Sequence, residues 1–268
     1  MGREGKRRIL KDIVRNMSRE YESKKPDIDS AVFIPACESA ESGQVISNLA
    51  FVLAERELNV CVADFNVFYP SMFAWIGADT PPRGEGLIKL LKNDRTPLKD
   101  VLQTTREKQI FLLSASQSDD LEDYYNFDFS HVCNVIKILK NNFDVTLINT
   151  PNIPSLEFCL ASMKFCTQGF FIAEQRIEVL SNISKLLNHA MSIGISSAKF
   201  LEIIFINFQN ASYDVRSFKD NKFNVTAIPF VPNAIISQLE NEIYLRDQTI
   251  LNKEFLKGIH KIADKFYR

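Results

Sequence analysis

The sequence predicts an α/β fold: a doubly wound, mainly parallel sheet with helices on both faces. Three observations carry this reading. Apolar runs of strand length recur along the chain and are continuous, as strands covered on both faces are. Segments with helical spacing separate them. The length and composition, 268 residues with 46% hydrophobic and 24% charged, suit one large domain, alone or with a short appendage. A domain of that size buries a core without help from disulfides or metals.

The elements follow in order. Ala31-Val32-Phe33-Ile34 places a strand at 31–35, and the segment from Val45 to Ala54 predicts a helix near 43–56. Asn59-Val60-Cys61-Val62-Ala63-Asp64 and Gln109-Ile110-Phe111-Leu112-Leu113-Ser114 are the next two strands, with a helix near 84–92 between them. Further strands are expected at 145–149, 169–173, 202–207 and 225–229. Helices are expected near 128–141, 155–165, 177–193, 213–219 and 233–241. A last one, near 252–267, puts Leu256, Ile259, Ile262, Ala263 and Phe266 on one face and closes the core. Ligands of such sheets bind beyond the carboxyl ends of strands, so the first, second and fourth strand ends are where function is sought.

Charge and cysteine usage exclude several classes. The net charge is −1, which is no nucleic-acid signature. Five cysteines are scattered without a C-x-x-C pair, which fits a reducing cytoplasm and gives no metal spacing. Cys61, Cys133 and Cys159 lie in apolar runs and read as core residues. Asp119, Asp120, Glu122 and Asp123 read as a solvated acidic loop, and Trp75 as core packing. No apolar run approaches the ~18 residues of a membrane span, and no signal peptide opens the chain.

Residues 1–28 form a separate unit. Nine Lys/Arg against four Asp/Glu lie within residues 1–25. Ile9, Leu10, Ile13, Val14 and Met17 make an apolar stripe at helical spacing, with Lys6, Arg7, Arg8, Lys11 and Arg15 on the other face. Such a helix docks on its own domain or a neighbouring subunit, or meets an anionic membrane surface. At about 1 kcal/mol per basic residue, the charge holds a monomer only weakly. A dimer presenting two copies gains by effective concentration.

The loop Cys37-Glu38-Ser39-Ala40-Glu41-Ser42-Gly43-Gln44 lies between the first strand and the first helix, the setting of a phosphate-binding loop. A working loop needs glycines, a Lys for the β/γ-phosphates and a Ser/Thr for Mg²⁺. This one has one Gly, no Lys or Arg, and two Glu. A carboxylate ~5 Å from a phosphate charge costs ~3 kcal/mol at an effective dielectric near 20. The loop therefore disfavours phosphate.

Several segments together resemble the MinD/ParA class of deviant-Walker ATPases. Leu53-Ala54-Glu55-Arg56 and Asn59 to Asn66 resemble its opening, and Phe143 to Pro151 its Walker B strand. Ile204-Phe205-Ile206-Asn207 resembles the strand whose Asn reads adenine, and Ile228-Pro229-Phe230-Val231-Pro232-Asn233 the segment that follows it. Asp64-Phe65-Asn66 is also similar to bacterial tyrosine kinases of polysaccharide export, while the C-terminal segment fits MinD, CpaE and TadZ better. The resemblance spans about residues 30–265 and implies a P-loop NTPase-like fold. It aligns Cys37 with the signature Lys, Ser42 with the P-loop Lys, and Gly43 and Gln44 with the two hydroxyl residues. Asn149 replaces the Walker B Asp, and Asp64 is kept while Asn66 replaces the second acid.

The expectation is a vestigial nucleotide site at Gly43, Gln44, Asp64, Asn149, Asn207 and Pro229, with no cofactor or with ATP bound but not hydrolysed. Asn207 either reads adenine or caps a strand end. The resemblance implies a non-catalytic scaffold or positioning factor for a membrane-associated machine such as a pilus, secretion or flagellar apparatus. Its setting is cytoplasmic or peripheral at the inner membrane face, and it works as a homodimer with protein partners. The rivals are a pseudo-kinase of polysaccharide export and an atypical hydrolase dependent on Asp64.

Overall fold

In a computed structural model, residues 25–151, 157–209, 222–246 and 252–267 are described. Eight strands form one sheet: β1 Ser30–Pro35, β2 Val60–Asp64, β3 Gln103–Thr104, β4 Ile110–Ser114, β5 Val145–Asn149, β6 Gln168–Ala173, β7 Glu202–Phe208 and β8 Asn224–Pro229. Their order is β3-β4-β2-β5-β1-β6-β7-β8, and every pairing is parallel except β3 with β4. The chain thus starts near the middle of the sheet and winds outward to both edges. Register aligns Asp64 with Asn149 and Asn149 with Phe33, so the ends of β1, β2 and β5 lie side by side.

Among the described residues eight α-helices accompany the strands: α1 Gly43–Ala54, α2 Met72–Ile76, α3 Leu87–Lys92, α4 Phe129–Asn142, α5 Glu157–Phe165, α6 Val179–Ser192, α7 Pro232–Leu239 and α8 Lys253–Ala263. All twelve residues of α1 are buried, because it packs against the sheet, α2 and α8. That is why its sequence is apolar almost all round. The Arg56 guanidinium, just past α1, bonds Asp264 at 2.7 Å and lies 5.3 Å from the Tyr267 ring, fastening α1 to the end of α8. Leu256, Ile259, Ile262, Ala263 and Phe266 are all buried in the core.

Some boundaries differ from the sequence reading. The helix expected near 84–92 starts at Leu87, since Gly84 and Gly86 take φ of 78° and 64°, outside the helical region. The first helix stops at Ala54, ahead of Glu57 at φ 66°. The last one ends at Ala263 and tightens into a 3₁₀ turn over Asp264–Phe266. Two short elements went unseen: the two-residue β3 and the five-residue α2. Neither is long enough to show a period. The helix expected at 213–219 and residues 1–24 of the basic N-terminal unit lie outside the described residues. Within them all five cysteines are buried and free, and no helix is long and apolar enough to cross a membrane.

Gly169 on β6 marks a close approach to Phe200, which lies just before β7. A Cβ there would stand 2.0 Å from the Phe200 ring. Gly169→Ala should lower the unfolding free energy by about 1–3 kcal/mol through overpacking, read as a fall in urea midpoint at unchanged slope.

Candidate functional site

The cleft beyond β1, β2 and β5 has a volume of about 560 Å³ and is lined by the 38–42 loop, Asn66, Tyr69, Ser71, Asn149 and Thr150, among others. Its lining contains Glu38 and Glu41 and no Lys or Arg. Among the described residues no group of three or more His, Cys, Asp or Glu is placed to hold a metal ion.

Asp64, at the end of β2, is fully buried and is the hub of the cleft floor. Oδ1 accepts from the Asn66 amide at 3.2 Å and from Asn149 Nδ2 at 2.8 Å. Oδ2 accepts from the Ser71 and Met72 amides, both at 3.0 Å. The last two bonds hold the start of α2. Burial pushes the Asp64 carboxyl up to about 6, against the opposing pull of the Met72, Asn149, Asn66 and Ser71 hydrogen bonds.

Asn149 links this hub to the loop. Its amide donates to Asp64, and its Oδ1 accepts from the Ser42 hydroxyl at the start of α1. A carboxamide donates to one neighbour and accepts from the other while staying neutral, which a carboxylate cannot do. A carboxylate at 149 would face that of Asp64 in a buried site, where like charges cannot both ionise without large cost.

The helix end itself is covered by Trp75. A Cβ at Gly43 would lie 2.2 Å from the indole ring, so the ring occupies the space that a side chain at 43 would need. Trp75 Nε1 donates to Glu41 at 3.0 Å, and its side chain is held on α2, whose start Asp64 fixes. Sequence reasoning took Trp75 as core packing. It is buried, but its packing partner is the site residue Gly43. The sequence signal was a large aromatic nine residues after the Asp64-Phe65-Asn66 strand-end motif, which is not specific.

The rest of the loop is tied to β6 and β7. The Ser39 hydroxyl donates to Glu174 Oε2 at 2.6 Å, and Asn207 Nδ2 donates to Oε1 at 2.9 Å. The Glu174 amide donates to Cys37 Sγ at 3.4 Å. Burial raises the Glu174 carboxyl, but the Ser39 and Asn207 bonds and the Arg176 charge outweigh it, and the group sits below its ordinary range. Asn207 takes φ 53° where the β7–β8 register shifts, a conformation Asn tolerates. The structure therefore gathers Gly43, Asp64 and Asn149 at one floor and engages the Asn207 amide through Glu174. The Gln44 carbonyl accepts from Asn48 Nδ2 at 2.7 Å inside α1. Pro229 lies apart, in a groove beside α8 with Lys257 and Lys261. The acidic loop is partly structural: Asp119 accepts from the Gly84 and Ser116 amides and the Tyr124 hydroxyl.

Comparison with known proteins places this architecture. No protein-family model matches the chain, and no curated protein is significantly similar to it by sequence. Solved structures are similar to it in fold. The septum site-determining protein MinD of Pyrococcus horikoshii OT3, complexed with Mg-ADP, is 19% identical, with 88% of this chain and 94% of that chain covered at a TM-score of 0.72. A ParA family ATPase from Chlorobium tepidum TLS is 15% identical, covering 88% and 97% at 0.75. The MinC:MinD cell division protein complex of Aquifex aeolicus is matched at 14%, covering 88% and 95% at 0.73. The fold is that of the MinD/ParA class of P-loop NTPases.

Two outcomes follow for the floor. The folded Asp64 carboxyl titrates above an unfolded aspartate, so its contribution is greatest below about pH 4 and is lost as pH rises through 6. The stability of the wild type relative to Asp64→Asn should fall by about 3 kcal/mol between pH 4 and pH 8, by urea unfolding at each pH. Gly43→Ser must displace the indole. Because Trp75 is the single tryptophan, its emission should shift to the red and become more accessible to acrylamide.

Proposed function

We propose that this chain is a non-catalytic, MinD/ParA-like scaffold or positioning factor, acting through protein contacts, as a dimer, on a membrane-associated machine such as a pilus, secretion or flagellar apparatus. One observation carries the loss of chemistry. The residues that the sequence resemblance aligns with the P-loop Lys, the Mg²⁺ hydroxyl and the Walker B acid, Ser42, Gly43 and Asn149, lie together in one closed floor. Ser42 and Asn149 bond each other, Asn149 bonds Asp64, and Trp75 covers Gly43.

A Mg²⁺-nucleotide does not fit these residues. Both oxygens of Asp64 are engaged by four donors, which leaves a metal shell nothing to hold it there. No cation lines the cleft to meet phosphate or stabilise charge in transfer, and Glu38 and Glu41 repel it. The hydrolase rival needs an Asp64 free to orient a metal, and here that carboxylate anchors α2. A partner-binding role is supported by the fold's occurrence in a MinC:MinD complex, and a TadZ/CpaE-like role by the sequence resemblance. The intact sheet around the altered site suits a surface kept for contacts. On this reading the chain works at the cytoplasmic side of the membrane, held there by its partners.

Isothermal titration with ATP, with and without Mg²⁺, tests this reading. The expected result is no Mg²⁺-dependent binding tighter than about 1 mM, the equivalent of about 4 kcal/mol, and no phosphate release. Tight Mg²⁺-dependent binding with turnover overturns it.

A further inference from the structure

The end of the sheet that holds the cleft exposes unusual apolar surface. Tyr69, which follows β2, is 81% exposed, and Ile177, which follows β6, is 96% exposed. Beyond β8, Ile236 and Leu239 of α7 are 50% and 78% exposed. Positions 235, 236 and 239 share one helical face. This face belongs with the cleft: α7 packs on α2, the Asn241 carbonyl abuts Gly77 after α2, and α2 carries Trp75 to the start of α1.

The cleft rim is acidic: Glu38, Glu41 and Glu240 are exposed, no cation among the described residues lines the cleft, and Arg176 beyond β6 faces the carboxylates of Glu174 and Glu178. A partner for this surface must be apolar on one side and basic on the other. The sequence supplies such a segment: Ile9, Leu10, Ile13, Val14 and Met17 recur at helical spacing, with five basic residues interleaved between Lys6 and Arg15.

Its reach is sufficient. The described chain enters at the opposite end of the sheet, where the Asp27 amide bonds the Phe266 carbonyl at 2.8 Å. Strands of five to seven residues make the sheet about 16–24 Å long. Residues 18–24 extend up to about 24 Å. A segment that ends at Met17 therefore spans from one end of the sheet to the other.

We propose that the strand-end face, formed by the acidic cleft rim and the apolar side of α7, is the docking surface for residues 6–17 of the same chain. The surface that in this fold faces phosphate has here the opposite charge preference, and it takes a basic amphipathic segment. Docking covers α7 and neutralises the rim. It also withdraws the basic residues from any anionic membrane until a partner displaces them.

Zero-length carbodiimide crosslinking of the full-length protein tests this, read by mass spectrometry on a mixture of ¹⁵N-labelled and unlabelled chains. The expected products join Lys6 or Lys11 to Glu38, Glu41 or Glu240 within one chain. They should be lost in Ile236→Asp/Leu239→Asp, whose unfolding midpoint stays that of the wild type because both residues are exposed. Crosslinks that persist in that variant overturn the role of α7. Crosslinks between labelled and unlabelled chains overturn the intrachain form and make a second copy the occupant. Absence of these crosslinks, with co-sedimentation on phosphatidylserine vesicles that the α7 variant does not alter, overturns docking in favour of a lipid surface. Nucleotide plays no part in the test, so its failure leaves the non-catalytic reading standing.

Discussion

The buried carboxylate of Asp64 is the constraint on which the cleft depends. It accepts four hydrogen bonds, two of them from the backbone at the start of α2. Through those bonds it fixes a helix of only five residues, too short to hold itself. That helix delivers Trp75 to Gly43, and the indole then closes the end of α1. Asn149 completes the arrangement by joining Asp64 to Ser42. The Asp64 carboxylate is thus a structural anchor, held at the cost of a raised carboxyl pKa.

The substitutions at the site make sense as a set. With Lys at 42, the Ser42–Asn149 bond is lost and a cation is buried at the floor. With a hydroxyl residue at 43, Trp75 has no room. With Asp at 149, two carboxylates meet. Ser42, Gly43 and Asn149 are mutually compatible, and changing any one of them disturbs the floor, because buried polar networks of this kind respond non-additively.

Nearly the whole fold was legible in the chain. Strands at 31–35, 59–64 and 145–149 fall within a residue of β1, β2 and β5, because continuous apolar runs flanked by turns have few other uses in an α/β protein. The departures have local causes: positive φ at Gly84 and Gly86 delayed α3, and β3 and α2 are shorter than any readable period. Of the candidate site, the chain showed only residue types. The glycine-poor, carboxylate-bearing loop and the amide at 149 stood out against a phosphate loop's needs, since charge and hydroxyl chemistry are properties of single residues.

Sequence by itself thus determined the layered architecture, the three strand ends that matter and the absence of cations in the loop. These follow from local periodicity and side-chain chemistry, which need no knowledge of distant neighbours. Tertiary structure alone decided what the altered residues do. Trp75 meets Gly43 across 32 positions, Ser42 meets Asn149 across 107, and Asn207 meets Ser39 through Glu174. Such contacts are set by strand order and register, and the order β4-β2-β5-β1-β6 is written in the packing of helices onto the sheet. The loop therefore reads in the chain as a phosphate site lacking its charges, and in the fold as one element of a closed, hydrogen-bonded floor.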